Sequence, residues 1–247
     1  MKHKGFTLVE VLVVFLVLGI IAVLTLPAIM SNIQKHQVGP ALTKAMATLE
    51  TAHALMANEH EMDNISDGCN IGAHGSLFGG NGVVNVQNYR INCFEPYVMK
   101  MIGASKETNG IKYDKFNNTG VSINTGSTSY HKYTTKSGVT YYFLNGGIIS
   151  GKHAMMQFYI DINGMNKKPN VMGKDLFQAV IDLDSTGAVA PYGGHIYSDW
   201  TWGYYNVNNF SVWNTSCNST TPINNITGET CSGSVIDNGG KVIYPWK

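Results

Sequence analysis

Charge is scarce in this 247-residue chain. Asp, Glu, Lys and Arg make up only 13% of it, and 17 basic residues nearly cancel 16 acidic ones. Arginine occurs once, as Arg90. Beyond Lys2, His3 and Lys4 there is no basic run, so the electrostatic footprint of a nucleic-acid binder is missing and nucleic acid is not an expected partner. Sequence signatures of catalysis are missing too. There is no GxSxG elbow, no phosphate-binding loop, no GxGxxG and no HExxH, and no enzymatic activity is expected. The four cysteines, Cys69, Cys93, Cys217 and Cys231, form no CxxC pair and their spacings do not suit a zinc site. With so few charges, the surface must be covered by Asn, Ser, Thr, Gly and Tyr.

What the chain has instead is a long apolar opening. From Phe6 to Met30 the only ionisable side chain is Glu10. At about 1.5 Å per residue such a helix outreaches a hydrocarbon core of about 30 Å, so the segment is expected to span a membrane. Lys2, His3 and Lys4 place the short N-terminus on the cytoplasmic side and everything after Met30 outside. A cleaved secretory signal would have a shorter apolar run with a small-residue cleavage site after it. Here the small residue, Gly5, precedes the run. An ordinary anchor fits the hydropathy but leaves Glu10 unexplained, since a carboxylate in lipid costs roughly 2.5–3.5 kcal/mol and intramembrane acids have partners.

The stretch Lys4-Gly5-Phe6-Thr7-Leu8-Val9-Glu10, heading a bare apolar helix, resembles the N-terminal motif of type IV prepilins and type II secretion pseudopilins. The resemblance is strong over about the first 30 residues and weak over the next 30. It implies cleavage by a prepilin peptidase between Gly5 and Phe6, N-methylation of Phe6, and pairing of Glu10 with the free amine of a neighbouring subunit. Gly19 and Pro27 fall where many members carry a helix-loosening Gly and Pro. The implied division is a leader at 1–5, a transmembrane and filament-core helix at 6–30, an amphipathic continuation at 31–62, and an extracytoplasmic head at 63–247. Implied partners are other pilin-like subunits, the peptidase, and an inner-membrane platform with its ATPase. The implied location is a bacterial inner membrane, crossed once, then a filament. The competing reading is a membrane-anchored surface adhesin or binding protein that never polymerises.

Past Met30, Ile33, Leu42, Ala45, Leu49, Ala52 and Met56 recur at mostly three- and four-residue steps, as an amphipathic helix requires. One helix over about 6–60, bent at Gly39-Pro40, is expected to end in a loop near Asp63. Strands are expected at 139–144, 155–162 and 177–183, with a further strand at Ala188-Val189, joined as an antiparallel meander. Residues 64–138 read as a Gly/Asn-rich insertion with a short helix over Glu95–Ile102, and 191–247 as a second irregular region. The expected fold is α+β and pilin-like: a long N-terminal helix packed on an antiparallel sheet. With the head outside the cytoplasm, two disulfides are expected. Three pairings exist; sequence proximity favours Cys69–Cys93 and Cys217–Cys231, each stabilising by about 3 kcal/mol.

One internal loop holds oxygen ligands in quantity: Asp161, Asn163, Asn166, Asn170 and Asp175. No cofactor is required, but Ca²⁺ is a candidate here. Lys167 and Lys168 count against it, and a turn with Asn-Gly supplying positive φ and Asp capping backbone amides is the favoured alternative. His53 and His60, two turns apart, read as a solvated helix face. Trp200, Trp202, Trp213 and Trp246 read as pins holding the tail onto the core rather than as an adhesive surface.

Overall fold

The computed structural model describes residues 7–59, 86–87, 89–126, 130–144, 148–150, 153–182, 189–191 and 217–246. Helix α1 (Leu8–Glu59) runs 52 residues, about 78 Å, without interruption through Pro27, Gly39 and Pro40. Its two halves differ in what covers them. From Leu8 to Met30 the side chains are exposed, whereas Val38, Leu42, Ala45, Met46, Leu49, Ala52, His53 and Met56 are buried. That spacing of three and four residues is one helix face. Ile33, expected on that face, is 44% exposed and lies before the covered region begins.

The head is built on an antiparallel sheet. Its strands are β1 (Ser105–Glu107), β4 (Tyr130–Thr134), β5 (Thr140–Leu144), β6 (Ile148–Ser150), β7 (His153–Asp161), β8 (Leu176–Asp182) and β9 (Val189–Pro191), ordered β1-β4-β5-β7-β8-β9 with β6 also on β7. The three expected strands correspond to β5, β7 and β8, and the expected strand at Ala188-Val189 meets β9 at Val189, Ala188 lying outside the described residues. A separate hairpin, β2 (Lys112–Asp114) with β3 (Val121–Asn124), lies apart from this sheet. The strands β1 to β4 all fall in the stretch read as an aperiodic insertion. They are three to five residues long, too short for a period of two to stand out.

Both faces of the sheet are covered, which is why β5 reads Thr-Tyr-Tyr-Phe-Leu without polar alternation. Tyr141, Phe143, Phe158, Ile160, Phe177, Ala179 and Ile181 join the α1 face in the larger core. Tyr142, Tyr159 and Leu176 point the other way, into a smaller core with Tyr113 and Ile123 of the β2–β3 hairpin. The Tyr141 hydroxyl donates to the Ala45 carbonyl at 3.0 Å, tying sheet to helix.

The helix expected at 95–102 begins earlier, as α2 (Arg90–Met99), with the wide π-helical winding. Pro96 sits inside it; proline lacks an amide hydrogen and clashes with the preceding turn, and a widened turn accommodates both defects. In the C-terminal region a short helix, α3 (Cys231–Asp237), follows the Cys217–Cys231 disulfide. Cys93 is also disulfide-bonded; Cys69, its expected partner, lies outside the described residues. Trp246 packs edge-on against Phe116 and beside Tyr244, as a pin. Trp200, Trp202 and Trp213 lie outside the described residues.

Candidate functional site

The start of α1 is capped by its own sequence. The Thr7 amide and the Thr7 hydroxyl both donate to Glu10 Oε2, at 2.8 and 2.9 Å, and the Glu10 amide donates back to Thr7 Oγ1 at 3.3 Å. This is a capping box, in which Thr at the N-cap and Glu three residues on satisfy each other's orphan donors. Thr-x-x-Glu before an apolar run is legible in Thr7-Leu8-Val9-Glu10, and the sequence reading overlooked it. A negative charge in the first turn also complements the helix dipole. Glu10 therefore has a partner within a single chain. Gly5 and Phe6 lie outside the described residues.

Beyond the cap comes an apolar surface that no other described residue covers. Leu8 is 77% exposed and Leu24 73%, and Leu12, Phe15, Leu16, Leu18, Ile20 and Ile21 are all exposed. Among the described residues this is the one helix long and apolar enough to cross a membrane, with a mean hydropathy of 3.0 over its most apolar window. An exposed apolar surface this large marks a site of contact with lipid or with other apolar surfaces. At Gly19 an added Cβ would meet nothing within 4 Å, so no packing among the described residues requires glycine there. The Thr25 hydroxyl donates to the Ile21 carbonyl at 2.9 Å, which satisfies it within the helix itself.

The loop from Asp161 to Asp175 brings its two carboxyls into one buried site. Asp161 Oδ1 accepts the Asn163 and Gly164 amides at 3.1 and 2.7 Å, and Asp161 Oδ2 accepts the Tyr113 hydroxyl. Asp175 accepts the Asn170 and Val171 amides at 2.6 and 2.7 Å. Burial, with a contribution from the Asp175 charge, pushes the Asp161 carboxyl up to about 7; burial alone pushes Asp175 up to about 6. Gly164 and Asn170 have φ of 89° and 57°, as tight turns demand. Asn166 is exposed. A calcium ion here would compete with four backbone amides and a tyrosine hydroxyl for the carboxylate oxygens. Among the described residues no three His, Cys, Asp or Glu are grouped as a metal site.

Sequence reasoning missed a second buried charge cluster. Arg90 and Glu95, on α2, are ion-paired at 3.1 Å. Glu95 also accepts the Tyr133 hydroxyl at 2.6 Å and lies 2.8 Å from His131 Nδ1, while Arg90 donates to the Leu144 carbonyl. The signal available was that the chain's one arginine stands five residues from a glutamate. His53, expected to be solvated, is fully buried against Tyr89 and Phe94 and hydrogen-bonds the Tyr89 hydroxyl. It lies on the α1 face that α2 covers, a tertiary fact that helical spacing does not carry. His60 lies outside the described residues.

Residues 1–26 match the family model described as the prokaryotic N-terminal methylation motif. The match is consistent with the type IV prepilin and pseudopilin family that the Lys4–Glu10 stretch resembles. No curated protein and no solved structure matches the chain.

Proposed function

We propose that this chain, which carries the prokaryotic N-terminal methylation motif, is a prepilin-like structural subunit that assembles into a filament through α1. The observation that carries the reading is the uncovered apolar surface from Leu8 to Met30, most of which lies inside the matched motif. Lipid covers that surface while the subunit waits in the membrane. The apolar helices of other copies cover it afterwards, with the heads outermost. Prepilin peptidase cuts after Gly5, and Phe6 becomes the methylated N-terminus. In the polymer, Glu10 exchanges its Thr7 contacts for the amine of a neighbour. The single-pass placement with a cytoplasmic N-terminus, the assembly platform and the ATPase belong to the same reading.

Mass spectrometry of the N-terminus in cells holding the peptidase tests the first step. Methyl-Phe6 with loss of residues 1–5 is expected; protein that keeps Met1 overturns it. The Thr7–Glu10 cap favours a second reading, a tethered monomer, because Glu10 then needs no second subunit. Cysteines placed at Leu16 and Leu24 separate the two: disulfide ladders form in a polymer, and single bands in a monomer.

A further inference from the structure

The charges of the head are dispersed in sequence and gathered by the fold. Between Glu10 and Glu50 the chain contains no acid, but it contains Lys35, His36 and Lys44. Between Asp161 and Asp175 it contains no acid either, but it contains Lys167, Lys168 and Lys174. The fold brings these two acid-free segments together. Gln34, Gln37, Val38 and Ala41 of α1 line one crevice with Ile162, Asn163, Pro169 and Lys174, and Trp246 and the buried Asp175 close it.

This meeting place has a definite position along α1. Gln34 to Ala41 lie about 6–16 Å past Met30, the last residue of the apolar run, at about 1.5 Å per residue. Headgroups extend the bilayer by roughly 5–8 Å beyond each side of its hydrocarbon core, and charge acts over about 8 Å at physiological salt. The rim thus stands within electrostatic reach of the surface from which the helix emerges. Lys167 and Lys168 are exposed, and so is Lys241, next to Gly240, which touches Gly39. The Lys174 ammonium lies over the Phe116 and Trp246 rings, 5.3 and 5.7 Å from their centres. An aromatic ring with a lysine beside it suits a membrane–water interface. Asp161 and Asp175 are buried and turned onto backbone amides. Among the described residues the exposed acids bordering the rim are Asp114, bonded through its backbone to Asn170 and Met172, Glu229, next to Gly228, which packs on Met172, and Asp237, at the end of α3 beside the Gly239–Lys241 turn.

We propose that this rim, made by residues 34–41 of α1 and the 162–174 loop, seats the head on the anionic phosphate headgroups of the leaflet from which α1 emerges. The inference rests on the membrane-spanning reading of α1. It adds a second, salt-sensitive hold on the subunit before assembly, one that a change of lipid charge releases.

The test uses the full-length chain in nanodiscs of phosphatidylcholine alone and of phosphatidylcholine mixed with phosphatidylglycerol. Lys167 and Lys168 are labelled with a bulky, water-soluble amine reagent and quantified by mass spectrometry. Labelling is expected to be severalfold lower in the anionic discs and restored by high salt. In K167E/K168E, Lys35 and Lys241 are expected to lose much of their protection in those discs. Equal labelling in both disc types overturns the proposal. So does equal protection in phosphatidylcholine discs by inorganic phosphate, which marks a site for the free ion. So does unchanged protection of Lys35 and Lys241 in the double variant. Failure of the chain to enter either disc, seen by size-exclusion chromatography, sinks the spanning reading itself and is read independently of labelling.

Discussion

Thr7 and Glu10 close a reciprocal cap at the start of α1, with both donors of Thr7 on one oxygen of Glu10 at 2.8 and 2.9 Å. A carboxylate that looks stranded in an apolar segment is thus held by its own helix. Any role for it between subunits must begin by breaking these contacts.

That relationship separates charge from cap. Gln at the third helical position also serves a capping box, so Glu10→Gln keeps the helix start and removes the charge. In the filament reading its yield in sheared fractions falls by about tenfold or more, as for loss of one partner of a buried pair. Wild-type yield would mean that the charge has no intersubunit role. Thr7→Val, which loses the cap, weakens the helix start by about 1 kcal/mol, visible as faster amide exchange at residues 8–10.

Gly39 is required by contact. An added Cβ there would lie 1.9 Å from the Gly240 carbonyl oxygen. Gly39→Ala is expected to destabilise the head by about 1–3 kcal/mol through overpacking, although alanine is the better helix former. Thermal unfolding in detergent would show a lower midpoint. An unchanged or raised midpoint would mean that the approach of Gly240 is not needed.

The raised carboxyls of Asp161 and Asp175 give stability a pH dependence of known sign. An acid whose folded pKa, about 7, exceeds its unfolded value near 3.8 binds more protons when folded between those values. Its contribution is complete below the unfolded pKa and is lost as pH rises through the folded one. The melting temperature of the wild type, less that of Asp161→Asn, is therefore expected to fall from pH 5 to pH 8. A flat difference would place Asp161 in its ionised form throughout.

Glu95 holds Arg90 in the interior. Replacing one member of a buried pair leaves the other uncompensated, at about 3–5 kcal/mol. Glu95→Ala is expected to lower the urea midpoint accordingly. The double change Arg90→Met with Glu95→Leu, which leaves no stranded charge, is expected to recover most of the loss.

Local pattern carried much of the architecture. The apolar run, the face at Leu42, Ala45, Leu49, Ala52 and Met56, and the strands β5, β7 and β8 are all visible as composition or period, because each depends on neighbours a few residues away. The Thr7–Glu10 cap belongs with them, since its partners are three residues apart. Contacts across the fold were not visible. Whether His53 is wet or dry depends on α2. Whether Gly39 is a hinge or a landing place depends on Gly240, two hundred residues on. A chain with no basic stripe beyond its first residues acquires a lysine-lined rim only when the 162–174 loop meets α1. Periodicity reports which side of an element is apolar; which other element comes to lie against it is decided by packing the whole chain around one sheet.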